Sequence, residues 1–355
     1  MDHPVRIICF ASKGIDLAEK LAEKLPAGLY YKFDTASMAE EIPQVFTEVR
    51  LPLAEWASEA FREGTPIIFI GAAGIAVRAI APSVKNKLED IPVLVMDIEG
   101  RYVIPILSGH YGGANMLAER ISGFTGALPV ITTGTDITGG FAADVFARQN
   151  RMAICDPDTL PRISGKAVAG ERLKYKAELP VPLAWKEKLP SGLIRAEDGE
   201  AYDICITGKR NPGAEGVLQL IPRFLHIGIG CRKDTDPEKL ESFVYNCMRC
   251  LRLDPLCIAD ISSIDLKKDE KALLILAGKL KRPFITYTAE ELSLTEGTFH
   301  ESAFVKETVG VGNVSGRAAA RSAGKGFRML QDTVKEEGMT FAAALPEAVK
   351  VTWNM

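Results

Sequence analysis

The sequence predicts an α/β protein: an N-terminal domain on a mostly parallel sheet, a small middle region, and a second α/β domain at the C-terminus. Three observations predict it. Short apolar runs alternate with amphipathic helical stretches over residues 1–150, and the same alternation returns over residues 224–355. Between them, residues 151–223 hold seven of the 20 prolines and few long apolar runs, so they read as a middle region or an elaborated linker. A chain of 355 residues is long enough for two or three such units.

VRIICF (5–10) reads as a buried strand, and GIDLAEKLAEKL after it places Ile15, Leu17, Leu21 and Leu25 on one helical face. LAEWASEAFREG is amphipathic and leads into the strand and glycine turn of TPIIFIGAAG. PVLVMD (92–97), RYVIPIL (101–107) and PVITTGTD (129–136) read as further strands. In the middle region AYDICITGK and GVLQLIPR are strand candidates. The last domain opens with a strand at 224–229 and a helix with Asp234, Thr235 or Asp236 as N-cap and Pro237 in its first turn. CIADISSID reads as a strand, DEKALLILAGKL as a helix, PFITYTAEEL as a strand entering a turn, VSGRAAARSAGKG as a helix and GMTFAAAL as a last strand.

The chain is 47% hydrophobic and 25% charged, with a net charge of −3. That excludes a global positive field for nucleic acid or an anionic membrane, so no nucleic-acid or membrane partner is expected. The charge is uneven: −5 over 1–150 (13 basic, 18 acidic), +2 over 151–223 (12 and 10), and zero over 224–355 (18 and 18). An anion site must therefore be local. The opening apolar run is too short for a signal h-region, and no run reaches the length of a membrane span. Seven cysteines are an odd number in a large chain, which argues for a reducing, cytoplasmic setting. Cys247-Met-Arg-Cys250 lies one turn apart inside an expected helix, so its thiols read as packing groups and not as a zinc knuckle.

Three turns follow strands in the first domain: GAAG at 71–74, SGHYGGAN at 108–115 and TTGTD at 132–136. In a mostly parallel sheet the three turns are expected at one sheet edge, the crevice where open α/β sheets bind ligands. Glycines let backbone approach a ligand, and amides at a helix start favour anions. His110, one of four histidines, titrates near neutrality and is the candidate general acid or base. Asp97 and Asp136 are strand-end carboxylates that can act as base, orient a partner or cap a helix. Arg78 and Lys87 are candidate carboxylate anchors; Lys85 and Arg101 read as a solvated face. Ser108, Gly109, Gly112, Gly113, Asn115, Thr132 and Thr133 complete the expected binding loops. In the last domain, GIGCRK and SSIDLKKDE each follow a strand; Arg232, Lys267, Glu270 and Ser302 are candidates to line a second wall, although ordinary loop polarity is the preferred reading of these residues by themselves.

GIAVRAIAP, Lys87, VLVMDIEG, IPILSGHYGGAN and VITTGTD occur in this order over about residues 67–148. This run resembles the N-terminal domain of the cobalamin-biosynthesis CbiG family, and residues from Gly228 to about Leu345 resemble its C-terminal domain. The resemblance implies a cobalt-precorrin-5A hydrolase of the anaerobic corrin pathway. Such an enzyme opens the lactone of a ring-contracted cobalt tetrapyrrole and releases acetaldehyde to give cobalt-precorrin-5B. It implies no resident cofactor, because the cobalt comes with the substrate, and it makes neighbouring pathway methyltransferases candidate partners. His226 and His300 are the histidines outside the loops that could meet the substrate's cobalt, with His226, in a strand, read as structural. One departure stands out: Gly316 and Arg317 occupy the place of the family's glutamate, and Gln331-Asp332 that of its lysine. The two could have been lost as an ion pair, and Arg317 could add a cation toward a polyanionic substrate. Two rival readings remain at this stage. A nucleotide- or phosphate-using enzyme would need a P-loop lysine or an acidic ribose contact, and neither is in place. A corrinoid-binding protein without catalysis would need neither.

Overall fold

A computed structural model describes residues 4–34, 42–86, 89–109, 111–132, 141–210 and 215–353. The chain divides into two compact units, residues 1–140 and 141–355. Among the described residues no helix is long and apolar enough to cross a membrane.

The first unit is a seven-stranded sheet flanked by helices. Its strands are β1 (Val5–Cys9), β2 (Ala27–Tyr31), β3 (Phe46–Glu48), β4 (Ile67–Ile70), β5 (Val93–Met96), β6 (Tyr102–Leu107) and β7 (Leu128–Pro129), in the order β3-β2-β1-β4-β5-β6-β7. The helices are α1 (Ile15–Ala22), α2 (Leu53–Glu63), α3 (Ala73–Ile80) and α4 (Ala114–Thr125). β1 to β5 are parallel, and the fully buried IIFI of β4 and VLVM of β5 are the continuous apolar runs that a sheet covered on both faces requires. One face packs Ile7, Ile68, Ile70 and Leu94 against Ala18, Leu21 and Leu117. The other packs Ile8, Phe69 and Val93 against Trp56, Ala60 and Ala76. β6 then turns back antiparallel to β5, with Met96 opposite Val103 and Val93 opposite Leu107. The turn is closed by Asp97, whose backbone oxygen accepts from Gly100 and whose Oδ1 accepts from the Tyr102 amide at 2.8 Å. β7 runs parallel to β6. It is two residues long, and among the described residues the strand expected over 129–136 is this stub plus one bond from the Val130 amide to Val103; residues 133–136 lie outside the described residues.

In the second unit the middle region is a sheet of its own, not a linker. α5 (Ala143–Gln149), β8 (Ala153–Ile154) and α6 (Leu160–Val168) precede β9 (Leu173–Glu178), β10 (Leu183–Trp185), β11 (Leu193–Arg195), β12 (Ile204–Thr207) and β13 (Leu218–Ile221). The order is β11-β9-β12-β13-β8, parallel except at β8. α5, read from sequence with the first domain, belongs to this unit: its Phe146 stacks on Trp185 and meets Trp353.

The last sheet has the order β16-β15-β14-β18-β17. Its strands are β14 (Leu225–Gly230), β15 (Ile258–Ile264), β16 (Phe284–Tyr287), β17 (Arg328–Glu336) and β18 (Met339–Leu345), while β19 (Val349–Val351) pairs with β10. Its helices are α7 (Pro237–Leu251), α8 (Lys271–Leu280), α9 (Ala289–Ser293), α10 (Ala303–Val309) and α11 (Val314–Ala323). Asp236 is the N-cap chosen for α7, accepting the Glu238 amide at 2.9 Å with Pro237 at N1. α11 lies directly on β14: a Cβ built on Gly228 would stand 1.8 Å from the Ser315 carbonyl oxygen. That distance makes glycine obligatory at this crossing.

Candidate active site

The reversal at β5–β6 decides which loops can meet. GAAG follows β4 and lies with Asp97 at the C-terminal edge of β1–β5, where the Gly71 amide donates to the Met96 oxygen. SGHYGGAN follows β6, which runs the opposite way, so it lies at the other edge, beside the start of β5. A six-residue strand is ~20 Å long, and that length separates the two groups. The expectation of three glycine turns at one edge is therefore corrected. Thr132, beyond β7, is on the SGHYGGAN edge because β7 is parallel to β6.

The same reversal sorts the expected residues. Asp97 is on the far edge, tied to the Tyr102 amide and 3.8 Å from Arg101, so it closes a turn and does not orient a group in the histidine loop. Arg78 is exposed in α3 and its Nη1 folds back onto the Gly74 carbonyl at 3.1 Å, toward that far edge. Ser108, Gly109, Gly112, Gly113 and Asn115 form one closed loop. The Ala114 amide donates to the Ser108 oxygen and the Asn115 amide to the Gly109 oxygen, each at 3.0 Å. Two amides at the start of α4 are thus taken by the loop itself, which reduces what the helix end can offer an anion. Ser108 and Gly113 take left-handed conformations, at φ 55° and φ 88°. The loop is tight enough that a Cβ on Gly112 would stand 2.3 Å from Ser108 Cβ, and one on Gly109 would stand 2.7 Å from the buried Asn115 Oδ1. His110, Lys87, Thr133 and Asp136 lie outside the described residues.

Asp90 is the member of this edge that sequence reading missed. It is buried, its Oδ1 accepts the Lys85 amide at 2.8 Å, and its carbonyl accepts the Ser108 hydroxyl at 2.7 Å. The segment carrying Lys85 and Asp90 is thereby fastened to the start of SGHYGGAN. The signal was faint: an acid before IPVLVM reads as an ordinary strand-flanking charge.

In the second unit Arg232, Lys267 and Glu270 lie beyond the C-terminal ends of β14 and β15. Lys267 Nζ lies 3.0 Å from Glu270 Oε2, with side-chain exposures of 19% and 7%. Cys231 adjoins them; burial pushes its thiol up despite the nearby Lys267 cation, so it stays protonated. Arg232 is exposed on the turn after β14. Ser302 is drawn elsewhere, its amide donating to the Gly312 oxygen at 2.8 Å.

The departure at 316–317 resolves into a local clamp. Arg317 bonds Glu301 at 2.8 Å and the carbonyls of Leu292, Ser293 and Thr295, and its guanidinium lies 4.9 Å from the Phe299 ring centre. Its charge is matched within the unit, which corrects the expectation of a cation offered to substrate. The Gly316 amide donates to Asn313 Oδ1, and Gln331 Nε2 bonds the Asp332 oxygen, so neither stands in for an acid or a lysine. His226 Nδ1 is 2.7 Å from Asp260 Oδ2, both at the start of their strands, at the sheet edge opposite Lys267. His300 is exposed and its carbonyl accepts from Asn313. Cys247 is buried and Cys250 exposed on α7; burial pushes Cys247 up to about 11 and Cys257 to about 12, so those two are protonated packing thiols.

A doubly wound first sheet with a glycine loop at a strand end, followed along the chain by further α/β sheets, is an architecture that many small-molecule enzymes share. The comparisons make this specific. The family description "Cobalamin synthesis G N-terminal" matches residues 55–136 and "Cobalamin synthesis G C-terminus" matches residues 225–344. The chain is 37% identical to a cobalt-precorrin-5A hydrolase of Salmonella typhimurium over 95% of its length and 96% of the relative's. It is 29% identical to one of Priestia megaterium over 81% and 80%. It is also similar to the solved structure of CobE, a protein from the cobalamin biosynthetic pathway, at 27% identity and a TM-score of 0.33, covering 35% of this chain and 92% of that one. The chain belongs to the CbiG family of cobalamin synthesis, and it is a hydrolase.

Proposed function

We propose that this chain is itself a cobalt-precorrin-5A hydrolase. It opens the lactone of that cobalt tetrapyrrole with water, then releases acetaldehyde to leave cobalt-precorrin-5B. The observation that carries this reading is the 37% identity to the Salmonella enzyme over 95% of the chain. The cobalt is part of the substrate, and no resident cofactor is invoked.

The reaction sets the demands on the site. Water must lose a proton as it attacks the lactone carbonyl, and the developing oxyanion needs donors. The freed hydroxyl must then lose its proton as the carbon–carbon bond breaks and the electron pair passes into the macrocycle. His110 is the base we place at this step, with Asp136 as the carboxylate that orients it. The fastening of Ser108 to Asp90 supports a rigid frame for His110, because a loop closed on itself fixes a side chain better than a free one. The amides of Gly112 and Gly113 face the oxyanion or a peripheral carboxylate. Asn115, Thr132 and Thr133 bond substrate oxygens, and Lys87 anchors an acetate or propionate arm. Arg78 and Asp97 are left out of this centre by their edge of the sheet. In the second unit, taken by itself, Arg232 and Lys267 are the residues we assign to carboxylate binding. The neighbouring methyltransferases of the pathway are the proposed sources and recipients of the substrate and product.

The test is an anaerobic assay with cobalt-precorrin-5A that follows the 18 Da gain of ring opening and the acetaldehyde released, the masses being those of water and of the expected fragment. The wild type should do both. A folded His110→Ala protein should lose about 100-fold or more in kcat, the usual worth of a general base. Full acetaldehyde release from that variant would remove His110 from the chemistry. Substrate retained with a spectral shift and no turnover by the wild type would make the chain a corrinoid carrier.

A further inference from the structure

We infer that Glu270 is a positioning residue that holds the Lys267 ammonium at the C-terminal rim of the last sheet, where Lys267 takes one carboxylate arm of the substrate. This rests on the proposed function for the identity of the substrate. It adds a residue and a division of labour that the resemblance does not supply.

Lys267 and Glu270 keep 19% and 7% of their side-chain surface, so both charges are largely removed from water. A pair taken out of water gains little stability over apolar residues, and removing one partner strands the other charge. Stability alone does not account for such a pair, which leaves its charge open to a role toward a ligand. An ammonium has three donors, and among the described residues Glu270 Oε2, at 3.0 Å, is the acceptor the structure gives Lys267. Two donors of a mostly desolvated cation are left for another acceptor, and an anionic oxygen compensates them best.

Placement supplies the second half. Lys267 ends the short 3₁₀ turn Asp265–Lys267 directly after β15, and Glu270 precedes α8, so the backbone sets their spacing at three residues. Both lie beyond the C-terminal ends of the parallel strands β14 and β15, the side on which such sheets bind ligands. Cys231, the first residue past β14, is a neutral neighbour that burial keeps protonated, so it competes for none of the charge. Leu266, the residue before Lys267 in the chain, is 68% exposed. A turn that carries an anchored ammonium and also exposes an apolar side chain suits a ligand with carboxylate arms on a flat apolar ring. Glu270 does not touch that ligand; it keeps Lys267 from swinging into solvent.

The experiment uses the full chain with Glu270→Gln, Lys267→Met, Lys267→Arg and the double variant Glu270→Gln/Lys267→Met. Two readouts are taken: steady-state turnover of cobalt-precorrin-5A, and equilibrium binding of uroporphyrin, a cobalt-free tetrapyrrole with eight carboxylates, followed by its fluorescence. Glu270→Gln should raise KM and the uroporphyrin Kd about 10-fold, with kcat within twofold of wild type. Lys267→Met should do the same or more, and Lys267→Arg should recover most of the loss. The double variant should be no weaker than Lys267→Met alone, because Glu270 acts only through Lys267. Additive losses in the double variant, a fall in kcat at unchanged KM, or unchanged affinity in Glu270→Gln would each overturn the inference. If the wild type binds uroporphyrin but does not open the lactone, the proposed function fails and the binding arm still decides on Glu270. Circular dichroism of Lys267→Arg, which keeps the charge, separates misfolding from lost recognition.

Discussion

Gly112→Ala tests whether the SGHYGGAN loop is the rigid frame argued above. The new Cβ would stand 2.3 Å from Ser108 Cβ and 2.8 Å from the Ser108 carbonyl oxygen. Carbon atoms rest at ~3.5 Å or more, so the two sides of the loop must part by more than ~1 Å. That movement pulls on the two bonds that close the loop, Ala114 amide to Ser108 oxygen and Asn115 amide to Gly109 oxygen. Forced overpacking costs about 1–3 kcal/mol, and each weakened bond about 1 kcal/mol. We expect a loss of about 3–5 kcal/mol, or a Tm lower by ~10–15 °C for a unit of 140 residues. A shift of ~1 Å at a catalytic loop also predicts about a 100-fold fall in kcat/KM. Scanning calorimetry and the acetaldehyde assay read the two effects. Gly123→Ala is the contrast: this exposed glycine in α4 has nothing within 4 Å of its Cβ, so alanine should add about 0.5–1 kcal/mol. A Gly112→Ala protein as stable and as active as wild type would refute the steric argument and the frame built on it.

Two further predictions concern the second unit. His226→Ala should cost about 2–4 kcal/mol in denaturant unfolding, because Asp260 is buried, its Oδ1 already lacks a partner, and His226 is what its Oδ2 bonds; it should leave kcat unchanged. Asp203 gives a pH dependence: burial pushes its carboxyl up, but bonds from Lys166 Nζ and the Lys174 amide, with Arg162 nearby, outweigh burial and hold it below the usual range. A depressed carboxylate contributes stability that is present above its unfolded value of about 3.9 and lost as pH falls through the folded one. Asp203→Asn should therefore be less stable than wild type at pH 7, with the gap closing below about pH 4.

The legible parts of the sequence were those in which one element's pattern answers for itself. IIFI and VLVM are buried on both faces and read as strands of a covered sheet. Pro237, with Asp234, Thr235 or Asp236 as cap, marked the start of α7, because a cap and the fixed φ of proline act within one turn; Asp236 is the cap used. The middle region was less legible for the same reason. Leu173–Glu178 alternates lysines with apolar residues, and Leu193–Arg195 is three residues long. Neither carries the apolar run that marks a central strand, although neighbours on both sides of β9 complete its ladder.

Strand direction is the property that no window of sequence contains, and here it governs the site. VLVM and YVIPIL look alike as apolar runs, and only the five residues between them, 97–101, decide that the second runs backward. That connection is too short for a helical crossover, which needs about a dozen residues, so a hairpin was the only geometry open to it. The reversal could have been deduced from loop length alone, and with it the separation of Asp97 and Arg78 from the histidine loop. Its consequence is chemical. Parallel strands would have put GAAG, Asp97 and SGHYGGAN around one crevice, with an acid in reach of His110. The hairpin instead sets Ser108 against Asp90 and brings Thr132 to the same edge. The partner of His110 must then be sought between residues 84 and 90 or after Thr132, which is why Asp136 and not Asp97 carries the orienting role in the reading proposed here.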